Sequence, residues 1–236
     1  MSRQYFAVIP AAGSGSRFGA PQPKQYRMLN GAPLIRHTIQ ALLSEPRIAK
    51  VVVVLSPEDT DWHEGCLPDN ATDRVHVVRC GGATRADSVT NGINWLLEKP
   101  NVDSNDWVLV HDAARPCLSP TQIDALLTEL SDDPVGGLLA IPVADTVKRA
   151  NGEARVDGTV DRRPLWLAQT PQMFRLQLLA RALSTVDPAL ATDESSAVEA
   201  LGLQPKLVAG SLSNLKVTYP QDLPLASAIL HSTITL

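Results

Sequence analysis

The sequence of 236 residues predicts an α/β fold built on a doubly wound, mostly parallel sheet, and three observations support this prediction. Short apolar runs rich in Val and Ile alternate with longer amphipathic segments, as in chains of alternating β and α units. The runs are continuously apolar, which indicates strands covered by helices on both faces. Glycine-rich turns follow two of the runs, at the strand ends where such sheets bind ligands.

Five apolar runs are predicted as strands, and three amphipathic segments between them as helices. The predicted strands span residues 6–9, 51–55, 75–78, 107–110 and 138–141. The predicted helices span residues 33–43, 88–97 and 121–130. The last helix follows Ser119-Pro120, an N-cap residue and a proline at the first helical position. With 44% hydrophobic residues and no repeat or flexible linker, the chain is expected to form a single domain over residues 1–236.

The segment at about 143–162 departs from the alternating pattern, because it is polar and β-prone. Asn151-Gly152 near its middle is the favoured pair for a type I′ hairpin turn, so a protruding β-hairpin arm is predicted. A long hairpin with little apolar surface is not stable when it projects alone. Two interpretations stay open: a surface hairpin lying on its own domain, or an arm that packs against a second subunit.

Composition and charge count against several classes of protein. The 21 basic and 25 acidic residues give a net charge of −4, whereas surfaces that bind nucleic acid need a basic excess. The three cysteines form no C-x-x-C pair, so a reducing compartment is expected rather than a disulfide framework or zinc site. No apolar run approaches the roughly 18 residues of a membrane span, and the N-terminus lacks a signal-peptide pattern. We therefore expect a cytoplasmic protein without nucleic-acid or membrane partners.

The loop after the first predicted strand has the composition of an anion-binding turn. It is glycine-rich over residues 10–19, and glycine lets an anion approach the backbone N–H groups closely. Phe18 stands where the dinucleotide-binding fingerprint has its third glycine, and no Walker A sequence follows. A plain turn is the alternative for such a loop. Arg17 and Lys24 flank it, however, so two cations could form a phosphate clamp there.

A second glycine turn, Gly81-Gly82, follows the third predicted strand. The helix after it would present its N-terminus to negative or hydrogen-bonding groups of a ligand. The alternative is a plain connection between strand and helix, capped by Thr84 or Asp87.

Asp112 follows the fourth predicted strand, near the expected phosphate loop. A carboxylate at this position is interpreted as an Mg²⁺ ligand, with a helix cap or an ion pair with Arg115 as the alternative. His111 is interpreted as a structural histidine, because nothing nearby supplies a nucleophile for it. Lys216 lies in a short strand-like run, where a lysine is expected to have a specific task.

Several of these motifs together resemble one family. Pro10-Ala11-Ala12-Gly13 with Arg17 and Pro23-Lys24-Gln25 is similar to the signature of Rossmann-like nucleotidyltransferases that activate sugar or polyol phosphates. Four later motifs narrow the resemblance to the 2-C-methyl-D-erythritol 4-phosphate cytidylyltransferase family. They are Arg85-Ala86-Asp87-Ser88-Val89, His111-Asp112-Ala113-Ala114-Arg115-Pro116, Thr170-Pro171-Gln172 and Asn214-x-Lys216-Val217-Thr218. The match extends from Val8 to Asp222, nearly the whole chain.

The resemblance implies that CTP and a polyol phosphate, methylerythritol phosphate, give the CDP-linked alcohol and pyrophosphate in non-mevalonate isoprenoid biosynthesis, with Mg²⁺. The catalytic residues that it implies are Arg17, Lys24 and Lys216. Its nucleotide-binding residues are Ala11, Ala12, Gly13, Gly82 and Ser88. Its substrate-binding residues are Asp112, which also lies near the metal, Arg115, Thr146 and Arg162. Because Thr146 and Arg162 lie on the arm, a homodimer joined through the arm is implied.

One position departs from the family pattern, and three other functions remain as alternatives. The family often has Asp where this chain has Ala83, so backbone groups would have to read the cytosine there. A ribitol 5-phosphate cytidylyltransferase is the nearest alternative. An NAD-binding oxidoreductase would use the same sheet, but Phe18 replaces a glycine of its fingerprint. A catalytically inactive, dimeric binding module would have no need of the charged residues that this chain retains.

Overall fold

A computed structural model describes residues 3–13, 22–187 and 191–234 of the chain. Within these residues the strands are β1 (Tyr5–Pro10), β2 (Met28–Leu29), β3 (Ala32–Pro33), β4 (Ile48–Val54), β5 (Val75–Val78), β6 (Trp107–Val110), β7 (Gly136–Pro142), β8 (Val147–Ala150), β9 (Val156–Val160), β10 (Trp166–Arg175) and β11 (Lys206–Ala209). The helices are α1 (Leu34–Leu43), α2 (Arg85–Leu97), α3 (Pro120–Leu130), α4 (Leu176–Thr185), α5 (Glu194–Glu199) and α6 (Leu223–Ile234). A 3₁₀ turn at Lys24–Tyr26 precedes β2.

Seven strands form the central sheet, in the order β11-β7-β10-β6-β1-β4-β5. The described strands of this sheet run parallel except β10, which is antiparallel to both of its neighbours. The chain proceeds from β1 to β4 and β5 and then returns to β6 on the other side of β1. The carboxyl ends of β1 and β6 therefore lie at the reversal of strand order, where open α/β sheets bind ligands.

All five predicted strands are present, so the prediction of a doubly wound, mostly parallel sheet is confirmed. The sequence pattern missed β10 and β11. β10 mixes apolar residues with Gln169, Thr170 and Pro171, and its register against β7 shifts between Ala168 and Gln172. β11 has four residues at the edge of the sheet, and one of them is buried. Neither strand has the continuous apolar run that identified the other five.

Helices cover both faces of the sheet, with α1 and α3 on one face and α2 and α4 on the other. Along β1, Ala7 and Ile9 pack into the first layer whereas Phe6 and Val8 pack into the second. Each of these side chains is buried, which explains why the run is apolar at every position.

The helix starts follow from side-chain caps. The side chain of Ser119 caps α3 as predicted, because it accepts a hydrogen bond from the Gln122 amide and the Gln122 side chain accepts one from the Ser119 amide. α2 begins at Arg85, earlier than predicted, because Thr84 and Asp87 form the same reciprocal pair one turn before residue 88.

The predicted arm is an antiparallel hairpin of β8 and β9, but its turn is not the predicted type I′ pair. The turn spans residues 151–155 and is closed by a hydrogen bond of 2.9 Å from the Asn151 amide to the Arg155 carbonyl. Ala154 (φ 57°), and not Gly152, adopts the left-handed conformation. The Asn151 side chain accepts hydrogen bonds from two backbone amides of the turn, which stabilises this wider loop. No residue from 143 to 168 is buried within the chain.

Candidate active site

A cleft of about 750 Å³ opens at the carboxyl ends of β1 and β6. Its walls come from residues 10–13, 24–25, 82–85 and 88, 112–114, and 216 and 218. Eight predicted site residues are therefore brought together, namely Ala11, Ala12, Gly13, Lys24, Gly82, Ser88, Asp112 and Lys216. Arg17 lies outside the described residues, so its predicted role stays a prediction.

The turn that carries Lys24 is tied to the loop after β1. The buried amide of Gln25 donates to the carbonyl of Ala11 at 2.9 Å and to that of Gly13 at 3.4 Å. The hydroxyl of Tyr26 donates to Asp59 at 2.6 Å on the other side of the turn. Lys24 is therefore held beside residues 11–13 by the contacts of its own neighbours.

The ammonium of Lys24 reaches across the cleft to the segment that carries Lys216. It donates to the carbonyl of Val217 at 3.2 Å, 193 residues away in sequence. The amide of Val217 in turn donates to the carbonyl of Ala114, in the loop after β6, at 2.8 Å. This segment is not the strand that the sequence suggested; it is an irregular stretch held by these contacts. The ammonium of Lys24 is consequently brought to the same short segment that carries Lys216.

In the described part of the loop after β1, one amide is already used within the fold. The amide of Ala11 donates to the carbonyl of Val54 at 2.8 Å and extends the pairing of β1 with β4. Ala11 therefore lines the cleft, but its N–H is already hydrogen-bonded and is not available to an anion. Gly13 is exposed, and a Cβ at this position would have no neighbour within 4 Å.

The glycine turn before α2 has the features of both earlier interpretations. It is the capped connection formed by Thr84 and Asp87, and it also lines the cleft. A Cβ on Gly82 would lie 2.3 Å from the Cβ of Asp87, so the capping pair requires glycine there. The buried hydroxyl of Ser88 accepts from the Gly82 amide at 3.2 Å and donates to the Thr84 carbonyl at 3.0 Å. Ser88 thus holds the turn in shape.

His111 is structural, as the sequence indicated. Its ring is fully buried and lies 3.0 Å from the hydroxyl of Thr170 and 3.1 Å from the carbonyl of Arg115. Burial lowers the pKa of His111 to about 4, so the ring is neutral near pH 7. The Thr170 hydroxyl also accepts from the amide of Asp112 at 3.1 Å. The irregular part of β10 therefore fixes the backbone that presents Asp112.

Asp112 has a cation at each of its carboxylate oxygens. Arg85 Nε lies 2.9 Å from Oδ1 and Lys216 Nζ lies 2.7 Å from Oδ2. The predicted partner Arg115 is farther, at 3.9 Å, and its guanidinium donates to the carbonyl of Asn214 at 2.6 Å. Burial by itself raises the pKa of Asp112, but the charges of Arg85 and Lys216 outweigh it, and the pKa is held well below its usual range.

Three predicted substrate-binding residues do not line the cleft. Arg115 is buried beneath Asp112, and burial lowers its pKa. Thr146 and Arg162 are exposed on the arm, where Arg162 donates to the carbonyl of Ala144. The structure places Arg115 next to Asp112 but not in the cleft wall, and Thr146 and Arg162 do not line the cleft of their own chain, so the substrate-binding roles of all three stay predictions.

Two residues of the site were missed from the sequence, Arg85 and Glu194. The guanidinium of Arg85 binds both oxygens of the buried Glu194 carboxylate, at 2.6 and 3.1 Å, while its Nε binds Asp112. Arg85 is the first residue of α2, and the positive end of a helix dipole disfavours a cation there. That mismatch is the signal in the sequence that could have predicted a carboxylate partner.

The described residues do not form a cage for a metal ion. Asp112 is the one carboxylate among the residues that line the cleft, and none of the described residues form a group of three His, Cys, Asp or Glu side chains suited to a metal. A cation at Asp112 would share the carboxylate with Arg85 and Lys216. Direct metal ligation by Asp112 stays a prediction, and the donor set does not fit a resident metal.

None of the described helices has the length and apolar character of a membrane span.

Comparison with known proteins gives one family. The family described as "IspD: 2-C-methyl-D-erythritol 4-phosphate cytidylyltransferase" matches residues 5–232. The protein of that name from Dechloromonas aromatica is 56% identical over 229 residues, covering 97% of this chain and 98% of the relative. A crystal structure of 4-diphosphocytidyl-2C-methyl-D-erythritol synthase has a TM-score of 0.85 at 41% identity, covering 98% and 99% of the two chains. The Francisella tularensis enzyme has a TM-score of 0.79 at 34% identity, covering 96% and 99%.

Proposed function

This chain belongs to the 2-C-methyl-D-erythritol 4-phosphate cytidylyltransferase family, and we propose from that premise how its cleft performs the reaction. The chain is a nucleotidyltransferase that joins CTP and 2-C-methyl-D-erythritol 4-phosphate in isoprenoid biosynthesis. The relatives and solved structures name the methylerythritol compound, so ribitol 5-phosphate is not favoured as the acceptor. An oxidoreductase and an inactive binding module are not supported for the same reason.

The reaction is a displacement at phosphorus between two anions. A phosphate oxygen of the polyol attacks the α-phosphorus of CTP and forms the new P–O bond. The bond from that phosphorus to the bridging oxygen of the β-phosphate breaks, and its electron pair leaves with pyrophosphate. Because negative charge accumulates around the α-phosphorus, positioning and cationic stabilisation supply most of the catalysis.

We assign this stabilisation to Lys24 and Lys216, with Arg17 as a third cation on the basis of the family resemblance. The observation that carries the proposal is the convergence of the two lysines on residues 216–217: Lys24 binds the Val217 carbonyl, and Lys216 binds Asp112. In this role Asp112 holds the ammonium of Lys216 toward the α-phosphate of CTP. The backbone around residues 12–13 and 82–83 would bind the nucleotide.

Pyrophosphate release tests the proposal when each nucleoside triphosphate is offered with each polyol phosphate. We expect turnover with CTP and methylerythritol phosphate and little with the other pairs. Turnover with ribitol 5-phosphate alone would contradict the assignment of the acceptor. Absence of turnover with every pair would contradict the enzymatic function itself.

We propose that Mg²⁺ enters as part of the substrate, bound to the triphosphate. Magnesium usually retains several waters and is held through substrate phosphates with one or two carboxylates. Both oxygens of Asp112 carry an ion pair, which supports this assignment over a resident site. Without nucleotide, titration of the protein with Mg²⁺ is expected to give no saturable binding in the millimolar range. Saturable binding of Mg²⁺ to the protein should be seen only when CTP is present.

We also propose a homodimer in which the arm of one subunit completes the cleft of the other. The exposed apolar side chains on and beside the arm support it: Val156 is 66%, Leu167 54% and Trp166 41% exposed in the single chain. Thr146 and Arg162 would then contact the polyol phosphate bound to the partner.

The free thiols, two of them buried, fit a reducing compartment, so we place the reaction in the cytoplasm.

Mixing two strongly impaired variants tests the shared site. A heterodimer of Lys216→Met and Arg162→Ala chains has one site with both native residues if Arg162 acts across the interface. After subunit exchange at equal amounts, about a quarter of wild-type activity should return, since half of the dimers are mixed and each has one intact site. If Arg162 acts within its own chain, no activity returns. Sedimentation of the wild type gives the oligomeric state independently.

A further inference from the structure

Glu194 is a buried carboxylate to which the reaction as proposed gives no task. Its side chain is 1% exposed, and it occupies the first position of α5. The N-terminus of this helix is fixed from two sides. Asp193 and Ser196 cap each other reciprocally, and the buried side chain of Gln172 donates to Asp193 at 2.9 Å and accepts from the amide of Ser195 at 2.7 Å. α5 is thereby fastened to β10 beside the cleft.

Arg85 connects this buried carboxylate to the site. Its two terminal nitrogens bind Glu194 at 2.6 and 3.1 Å, and its Nε binds Asp112 at 2.9 Å. Asp112 binds Lys216 at 2.7 Å with its other oxygen. Four groups of alternating charge therefore run from α5, through the first residue of α2, to the ammonium in the cleft. Burying this many charges is costly, and replacing such an array with apolar residues is often neutral or stabilising.

We propose that Glu194 and Arg85 are positioning residues that hold the Asp112–Lys216 pair in its reactive arrangement, an inference that rests on the proposed role of Lys216. With Oδ1 occupied by Arg85, the Asp112 carboxylate has one orientation, so Oδ2 defines one place for the Lys216 ammonium. Without Glu194, the triphosphate of CTP would compete for Arg85, because Arg85 lines the cleft and its side chain is 31% exposed. Glu194 thus keeps Arg85 on Asp112 while nucleotide is bound.

The geometry requires arginine at position 85. The planar guanidinium serves Glu194 through its terminal nitrogens and Asp112 through Nε at the same time. A lysine has the same charge but a single ammonium, which cannot reproduce that fork. Arg85→Lys is therefore a test of geometry at constant charge, and Glu194→Gln is a test of charge at nearly constant shape.

Glu45 provides a matched control in the same chain. Its buried carboxylate also binds one arginine through both oxygens, since Arg47 Nε and Nη2 lie 2.7 and 2.8 Å away. That pair lies just after α1 and does not line the cleft. Glu45→Gln should therefore lower the thermal midpoint while leaving turnover within about twofold of the wild type, since it touches no group of the reaction.

The test measures kcat and KM for both substrates by pyrophosphate release, with folding checked by circular dichroism at the assay temperature. We expect Glu194→Gln and Arg85→Lys to lower kcat by about 10- to 100-fold with each KM within about threefold, as misplacement of a catalytic group does. In a Lys216→Met background the same changes should lower kcat by less than about threefold, because the group that they position is gone.

Each result either supports or overturns the inference. Normal kcat in Glu194→Gln, or an equal loss in both backgrounds, overturns it, because a general loss of folded protein would act alike in each. If Glu194→Gln does not fold, Arg85→Lys in the two backgrounds decides by the same criterion. If the wild type itself does not turn over CTP, the proposed function fails instead. If Lys216→Met is fully active, the proposed role of Lys216 fails, and these failures are thereby distinguished from that of the inference.

Discussion

Acidification is expected to destabilise the fold through His111, and the size of the effect follows from its surroundings. The ring is fully buried between Thr170 and Arg115, and burial lowers its pKa to about 4. In the unfolded chain the pKa returns to about 6.5. Between these two values the unfolded chain binds a proton at His111 that the folded protein does not bind. Stability therefore falls as pH falls through this interval.

The magnitude is about 3.5 kcal/mol, from about 1.4 kcal/mol for each pH unit between 6.5 and 4. Most of it should be lost by pH 4.5. Carboxylates with lowered pKa, such as Asp112 and Glu45, add to the acid destabilisation, so the total pH dependence does not isolate His111. The comparison must therefore be made between the wild type and a variant that lacks only this titration.

Urea unfolding of the wild type and His111→Gln at several pH values between 7 and 4.5 provides that comparison. Glutamine cannot titrate, and its amide can donate to the Arg115 carbonyl as the ring does. We expect the variant to be less stable at pH 7 and the difference to shrink by about 2–3 kcal/mol at pH 4.5. Parallel pH dependences for the two proteins would refute the neutral, buried histidine.

Three further predictions concern the cleft and its supports. Lys24→Ala should lower kcat by roughly 10²–10³, the scale for loss of one transition-state donor, in the pyrophosphate assay. Gly82→Ala should cost about 1–3 kcal/mol in urea unfolding and raise KM for CTP, because its Cβ would lie 2.3 Å from that of Asp87. Ser119→Ala should cost about 1 kcal/mol of stability by removing the α3 cap, with kcat unchanged.

Substitutions outside the cleft provide the controls for these predictions. Lys206→Ala, at an exposed position of the edge strand β11, removes a charge away from the cleft and should leave kcat near wild type. A Lys24→Ala enzyme with near-normal turnover would exclude Lys24 from the mechanism. Gly152→Ala has open space around its Cβ, so a cost equal to that of Gly82→Ala would contradict the steric argument. Loss of kcat in Ser119→Ala would contradict a purely structural cap.

The sequence was sufficient wherever the physical cause is local. The apolar runs of β1, β4, β6 and β7 identify buried strands, because burial on both faces demands apolar side chains at successive positions. The run of β5 also identifies a strand, although this strand lies at the edge of the sheet and is only partly buried. Ser119-Pro120 identifies the start of α3, since capping involves residues within one turn. The predicted type I′ turn of the arm was wrong. The side chain of Asn151 accepts hydrogen bonds from the amides of Glu153 and Arg155, which lie beyond the two residues on which that prediction was based.

By itself the sequence determined the class of sheet, the order of its loops and, through the resemblance, the residues expected around a phosphate. Only the tertiary structure decided their partners. Arg85 meets Glu194 across 109 residues, and Lys24 meets Val217 across 193. These long-range contacts depend on the topology of the sheet, in which β10 lies antiparallel between β6 and β7. No local sequence pattern predicts that placement. Asp112, which the sequence predicts as a metal ligand, forms ion pairs with both Arg85 and Lys216 in the structure.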